Sequence, residues 1–278
     1  MESKETVNSL AWQPLTFGGV AAFSRASFSR LWAMEVIAAL ISAASIICLF
    51  YMAWEPSLRE AITRLPDVGA IHGGYLEWSN STVVRLSDSA FLSIAIDPSD
   101  TGETGQVGDV QLELRRTHLR FRSLLGHISI PYLPQWKIAM DRVKLEPWWG
   151  AWHPVVSAAL GMSVGVGLLL VWGLLAAIYA PLARLIAHCA GRRTTLAGSW
   201  RLASASLMPG ALLANAAIIA YSFGQINLVQ LLFAGLLHLA VGWIFVLVSP
   251  LRLPRVDGAP GSSKNPFSGS RIGGQSDQ

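Results

Sequence analysis

Apolar residues along this chain follow two patterns. In four stretches they are continuous: residues 31–54, 154–181, 203–222 and 228–248, which together hold a single charge, Glu35. A helix rises ~1.5 Å per residue, so roughly 20 residues cross ~30 Å of hydrocarbon. Each stretch is long enough, and the pattern predicts four membrane spans. Between the first two, the period changes to two. Val110, Leu112 and Leu114 alternate with Gln111, Glu113 and Arg115; Leu119 and Phe121 alternate with His118, Arg120 and Arg122; Ile128 and Ile130 alternate with His127 and Ser129. One apolar and one wet face predict a small antiparallel sheet, with further strands around Tyr75, Val83-Val84 and 91–96. Before the strands, Glu55-Pro56-Ser57 opens a short helix with Leu58, Ala61, Ile62 and Leu65 on one face, closed by Pro66 and Gly73-Gly74. After them, Pro134 to Glu146 reads as a helix leading through Pro147-Trp148-Trp149 into the second span.

The predicted fold class is therefore an integral membrane protein, a four-helix transmembrane bundle with an inserted α+β, β-rich extracytoplasmic domain. Its parts are an amphipathic cytoplasmic arm (1–30), helix 1 (31–54), the outer domain (55–153), helix 2 (154–181), a basic cytoplasmic loop (182–202), helix 3 (203–222), helix 4 (228–248) and a tail (249–278), disordered from about Gly258. The arm carries Leu10, Trp12, Phe17, Phe23 and Phe28 among small and basic residues, as in a segment lying on a membrane surface. About 30 residues precede the first apolar run, which at 24 residues exceeds a signal h-region. It is expected to remain attached as an anchor.

Composition agrees with position. Only 14% of the 278 residues are charged and mean hydropathy is +0.44, which argues against an ordinary soluble enzyme. Residues 55–153 hold 22 charges, 10 basic and 12 acidic, as in an ordinary soluble domain. The loop 182–202 instead carries Arg184, Arg192, Arg193 and Arg201 with no acid. Positive charge marks the cytoplasmic side, so both termini are expected inside. Trp32 and Trp200 then fall at inner boundaries, and Trp54, Trp148, Trp149 and Trp152 at outer ones, where indole rings concentrate. Two cysteines, Cys48 and Cys189, exclude a disulfide scaffold.

Candidate chemistry is sparse. The sequence has no His-Glu-x-x-His, Cys-x-x-Cys or phosphate-cradling Gly-x-x-x-x-Gly-Lys. One Gly-x-Ser-x-Gly match, Gly161 to Gly165, lies inside an apolar span, where Ser163 with His238 is a weaker reading than small residues packing helices. His72, His118 and His127 lack the companions of a metal site. No catalytic, cofactor or metal residue is assigned, and nucleic acid is excluded by the expected compartment. Inside the membrane a charge costs roughly 2.5–3.5 kcal/mol, so polar residues there need partners. Glu35 is expected to pair with Arg30, Arg184 or Arg201. Asn215 and His238 are expected to face each other on antiparallel neighbours. Ser157, Gly161 and Gly165 repeat every four residues, as do Gln230, Ala234, His238 and Gly242, and such small faces suit close helix packing. On the outer domain Arg116, Arg120 and Arg122 form a candidate partner face, although neighbouring acids also allow a balanced solvated strand.

The order of features carries a resemblance. A Phe-rich arm, a span, a helix ending in Leu65-Pro66, the turn Gly74-Tyr75-Leu76-Glu77 and a strand closing in Ile94-Ala95-Ile96-Asp97 resemble an uncharacterised bacterial family of membrane proteins with an extracytoplasmic insertion. The stretch Ser199-Trp200-Arg201-Leu202, then Ser204 and Pro209, is similar to the membrane half of the Ypt/Rab-interacting (YIP-like) proteins. That resemblance implies an organising or partner-binding role and no catalytic residues. This chain has four apparent spans where that family commonly has five. The function expected is a non-enzymatic inner-membrane scaffold, sensor or accessory subunit, with the lipid bilayer, an envelope protein or a second copy as partners. The rival expectation is a small transporter lined by Glu35, Asn215 and His238, and an envelope enzyme using the Arg115 to Arg122 face comes last.

Overall fold

A computed structural model describes residues 13–79, 81–100 and 104–255. The start of the arm, Glu103 and the tail from residue 256 lie outside the described residues. In chain order the elements are α1 (Phe17–Phe23), α2 (Phe28–Leu49), a π-helical turn (Phe50–Trp54), α3 (Glu55–Thr63), β1 (Gly69–His72), β2 (Tyr75–Trp78), β3 (Val84–Asp88), β4 (Leu92–Asp97), β5 (Val110–Arg115), β6 (His118–Ser123), β7 (Gly126–Pro131), β8 (Lys137–Ala139), α4 (Arg142–Cys189), α5 (Leu196–Ser222), α6 (Leu228–Val248) and a 3₁₀ turn (Ser249–Arg252). Four helices, Phe28–Thr63, Arg142–Cys189, Leu196–Ser222 and Leu228–Arg252, are long and apolar enough to cross a membrane. The described residues form two compact units, one from residues 13–36, 169–210 and 238–255, the other from 37–168 and 211–237.

In the first unit, Thr16 caps α1 by accepting the Gly19 N–H at 3.0 Å. Val20 and Phe23 of α1 are fully buried against Leu31, Leu202 and Met208. This stretch of the arm is thus folded into a core and does not lie on a surface. The expected basic loop shrinks to residues 190–195, because α4 runs on to Cys189 and α5 starts at Leu196, where the Thr195 hydroxyl accepts the Gly198 N–H at 3.0 Å. The tail begins ordered, since Arg192 and Arg255 form a β-bridge after the 3₁₀ turn.

The second unit holds the strands. Pro56 cannot donate to the carbonyl four residues back, and its ring would clash there. The helix widens by one residue just before it, with Glu55 N–H reaching Phe50 O, and continues from α2 into α3. Gly73 and Gly74, at φ +61° and +87°, make the two-residue turn of the β1–β2 hairpin. They were expected to close a helix, but α3 already ends at Thr63. Likewise 137–139 is a strand, β8, in a three-stranded sheet of order β2-β1-β8, where a helix was expected. The helix begins at Arg142, with Asp141 accepting the Lys144 N–H at 2.8 Å, and runs 48 residues. Pro147, Pro154 and Pro181 all lie within it. The other sheet has the order β3-β4-β5-β6-β7, and its β4–β5 pair is parallel, against the expectation of an all-antiparallel sheet. Its apolar face packs Leu86, Leu92, Ile94, Ile96 and Leu114 against Ala61 and Leu65.

Candidate functional site

Three places concentrate polar chemistry. The first is the face of the five-stranded sheet opposite its core. Strand register puts Ala95, Glu113 and Arg120 side by side, flanked by Ser93, Gln111 and Arg122 and by Asp97 with Arg115. A parallel pair cannot close with a short hairpin, so the 98–109 connection crosses over, and part of it is tied to this face. Thr104 is buried and donates to Glu113 Oε1 at 2.6 Å, Arg122 donates to the Thr104 carbonyl at 3.1 Å, and Asp100 pairs with Arg115. Gln111, Glu113 and Arg115, expected on a wet face, are therefore buried.

Glu113, fully buried, is the hub. Oε1 accepts from Thr104 and from Gln111 Nε2 at 2.9 Å, while Oε2 accepts from Arg115 Nε at 3.0 Å and Nη2 at 2.9 Å. Arg122 stands 3.5 Å and Arg120 4.0 Å from the same carboxylate, and Asp97 lies 3.6 Å from Arg115. Burial works against the charge on Arg115, but hydrogen bonds and charge from Glu113 and Asp100 hold its pKa above the ordinary value. Each carboxylate oxygen already accepts two hydrogen bonds. The arrangement is a saturated ion network, suited to fixing the crossover and poorly suited to proton transfer.

The second place separates Arg116 from the other two candidate partner-face residues. Arg116 follows β5, its carbonyl accepts the Leu76 N–H at 2.8 Å, and it lines a cleft of about 820 Å³ with Asp67, Glu77, Trp78, Asp141 and Lys144. Arg120 and Arg122 belong to the Glu113 network instead. The single arginine face of the sequence reading is thus two surfaces. The cleft mixes both charge signs with an indole, a lining suited to a polar partner. Among the described residues no three His, Cys, Asp or Glu side chains gather to hold a metal.

The third place is inside the apolar helices. Glu35 is buried and accepts a hydrogen bond from the Ser204 hydroxyl of α5. Arg201, one of its expected partners, turns to the Ser24 carbonyl at 2.9 Å. Asn215 is buried and donates to Ser42 Oγ of α2 at 3.0 Å, whereas His238 Nδ1 is buried without a hydrogen-bond partner. The expected Asn215–His238 pair does not form. Ser204 and Asn215 of α5 both bond to α2, and the small hydroxyl residues Ser42 and Ser204 suit close approach.

Small residues do pack helices. A Cβ on Gly161 would stand 2.6 Å from Ile47 Cδ1, and one on Gly210 would overlap the His238 carbonyl oxygen. Ser157 is buried, its hydroxyl donating to the His153 carbonyl at 2.8 Å, and Gly242 is buried with Leu207 3.8 Å from its Cβ position. Gly165 has open space beside it. Ser163 stands inside α4 and not on the exposed turn a nucleophile elbow requires.

Two positioning residues escaped the sequence reading. Tyr221 at the end of α5 donates to Asp109 Oδ2 at 2.7 Å and stands edge-on to Phe91 with ring centroids 5.1 Å apart. Thr104 is the other. A tyrosine ending an apolar run was the available signal for the first; a lone threonine in a Gly-rich loop gives none. Comparison of the chain with protein-family models, characterised proteins and solved structures finds no match.

Proposed function

We propose that this chain is a non-enzymatic, multi-pass protein of the bacterial cytoplasmic membrane, with both termini inside, whose outer domain is a platform for a membrane or envelope protein partner. The observation that carries this reading is how polar groups are used. Glu35 and Asn215 are engaged in helix packing, while the outer domain keeps a charged, two-signed cleft open around Trp78, Arg116 and Lys144. The domain is also held by helices that continue into it, α2 through the π turn into α3 and α4 without a break. A YIP-like membrane half belongs to the same proposal.

The test places photo-crosslinking side chains at Trp78, Arg116 and Lys144 in cells, with Phe233 on the exposed face of α6 as control, and a reporter enzyme after Gly105. The expected result is a discrete protein adduct from the cleft positions and reporter activity outside. A reporter active in the cytoplasm overturns the orientation, and cleft positions yielding no more adduct than Phe233 overturn the platform. The rival reading, a transporter lined by Glu35, Asn215 and His238, draws on the unpartnered His238 Nδ1. It requires His238→Ala to abolish ion or solute flux in proteoliposomes while leaving the fold intact.

A further inference from the structure

We propose that the apolar cavity between α3, the core face of the five-stranded sheet and the first turns of α4 receives one acyl chain of a bilayer phospholipid. The cavity measures about 270 Å³, and every residue lining it is apolar or aromatic, with Leu58, Ile62, Leu112, Leu119, Leu145 and Trp148 among them. Protein interiors normally leave few voids larger than a water molecule. The space is partly open and offers water no polar partner, and an apolar cavity of ~150 Å³ lined by aliphatic side chains takes up benzene. The space here is larger and suits a flexible hydrocarbon.

Its mouth has the features a lipid requires. Trp148 lines the cavity yet is half exposed, and it stacks on the equally exposed Trp152 with centroids 6.5 Å apart. Trp149 is also in the lining, its ring held between Phe50 and His153 with centroids 6.4 Å and 6.2 Å away. From these tryptophans α4 continues unbroken into its apolar stretch, with Val155 and Val156 exposed just beyond. A chain leaving the bilayer along this helix meets the mouth directly, so the inference rests on the reading that α4 crosses a membrane. A peptide is a poorer occupant, because its amide groups would be buried against a lining that offers no polar surface.

The test uses the full-length protein in nanodiscs doped with phospholipid carrying a diazirine in its acyl chain, with diazirine-labelled free fatty acid as a parallel arm. Photolysis, proteolysis and mass spectrometry locate the adducts. The expected result is phospholipid labelling of Leu58–Ile62 and Leu112–Leu119 in addition to the four apolar helices. Leu119→Trp, which fills the void, is expected to cut cavity labelling at least tenfold while helix labelling and melting temperature hold; Ala61→Leu serves the same purpose if that variant misfolds. Labelled helices with an unlabelled cavity, labelling by free fatty acid alone, or filled variants that label like the parent overturn the cavity proposal only. Unlabelled helices overturn the membrane reading and this proposal with it.

Discussion

Two buried glutamates divide the labour of polar burial differently. Glu113 sits among three arginines, a threonine and a glutamine, and both of its oxygens are saturated. Glu35, in an apolar helix, is met by the hydroxyl of Ser204. In the sheet domain, charge is balanced by charge, and the network binds the crossover to the strands. In the apolar helices, a small neutral hydroxyl meets the carboxylate and lets the helices approach. The same residue type therefore organises a loop in one place and a helix contact in the other.

The largest expected break comes from removing the hub. Glu113→Ala takes from buried Arg115 its two hydrogen bonds to that carboxylate, leaving it Asp97 and Asp100, and should cost ~3–5 kcal/mol, read as a loss of melting temperature and of crossover protection in hydrogen exchange. Gly210→Ala drives a methyl into the His238 backbone and should cost ~1–3 kcal/mol in the purified protein, more than Gly161→Ala, where the flexible end of Ile47 can move. Asn215→Ala removes one interhelical hydrogen bond and should cost ~0.6–2 kcal/mol in detergent unfolding. Glu35→Gln sharpens the contrast, because it keeps an acceptor for Ser204 while removing a charge from the apolar helix. Stability should stay level or rise, opposite in sign to Glu113→Ala, and a loss as large as that variant's would erase the distinction.

The smallest effect concerns Tyr132. Burial raises its pKa, against a smaller lowering by contact of its hydroxyl with the Arg115 backbone. The fold favours the neutral phenol, so this contribution is complete below the unfolded value near 10 and declines as pH rises above it. Tyr132→Phe should therefore leave neutral-pH stability within about 1 kcal/mol of the parent and flatten alkaline unfolding between about pH 10 and 12.

Legibility followed the strength of each periodic signal. Residues 228–248 were readable to the residue, because Asn227 caps the helix start and only Gln230 and His238 interrupt an otherwise apolar run. The second span was cut at Pro154 and Pro181, yet both prolines are inside α4, whose hydrophobic register outlasts a missing hydrogen bond. β1 and β8 are four and three residues long, too short to show a period of two, although Gly73-Gly74 carried the hairpin signal. Parallel pairing of β4 with β5 hid the fate of Gln111, Glu113 and Arg115, since alternation tells which residues share a face and says nothing of what covers it. The polar pairs of the helices depend on which helices are neighbours. Loop length pointed Asn215 toward α6, while packing pairs it with α2.

The aromatic contacts at the two ends of the 55–153 segment have a thermodynamic consequence. Phe50 meets Trp149 and Tyr51 meets His153, each pair with ring centroids 6.4 Å apart, so the chain enters and leaves the 55–153 segment through neighbouring helices. When the domain unfolds, its ends stay tethered for as long as the helices hold. The denatured segment is then a closed loop of about a hundred residues, poorer in conformations than a free chain, and by the loop-closure relation such a tether is worth up to ~5 kcal/mol. The helix pair acts on the sheet domain as a cross-link would, in a segment where neither Cys48 nor Cys189 is present to form one.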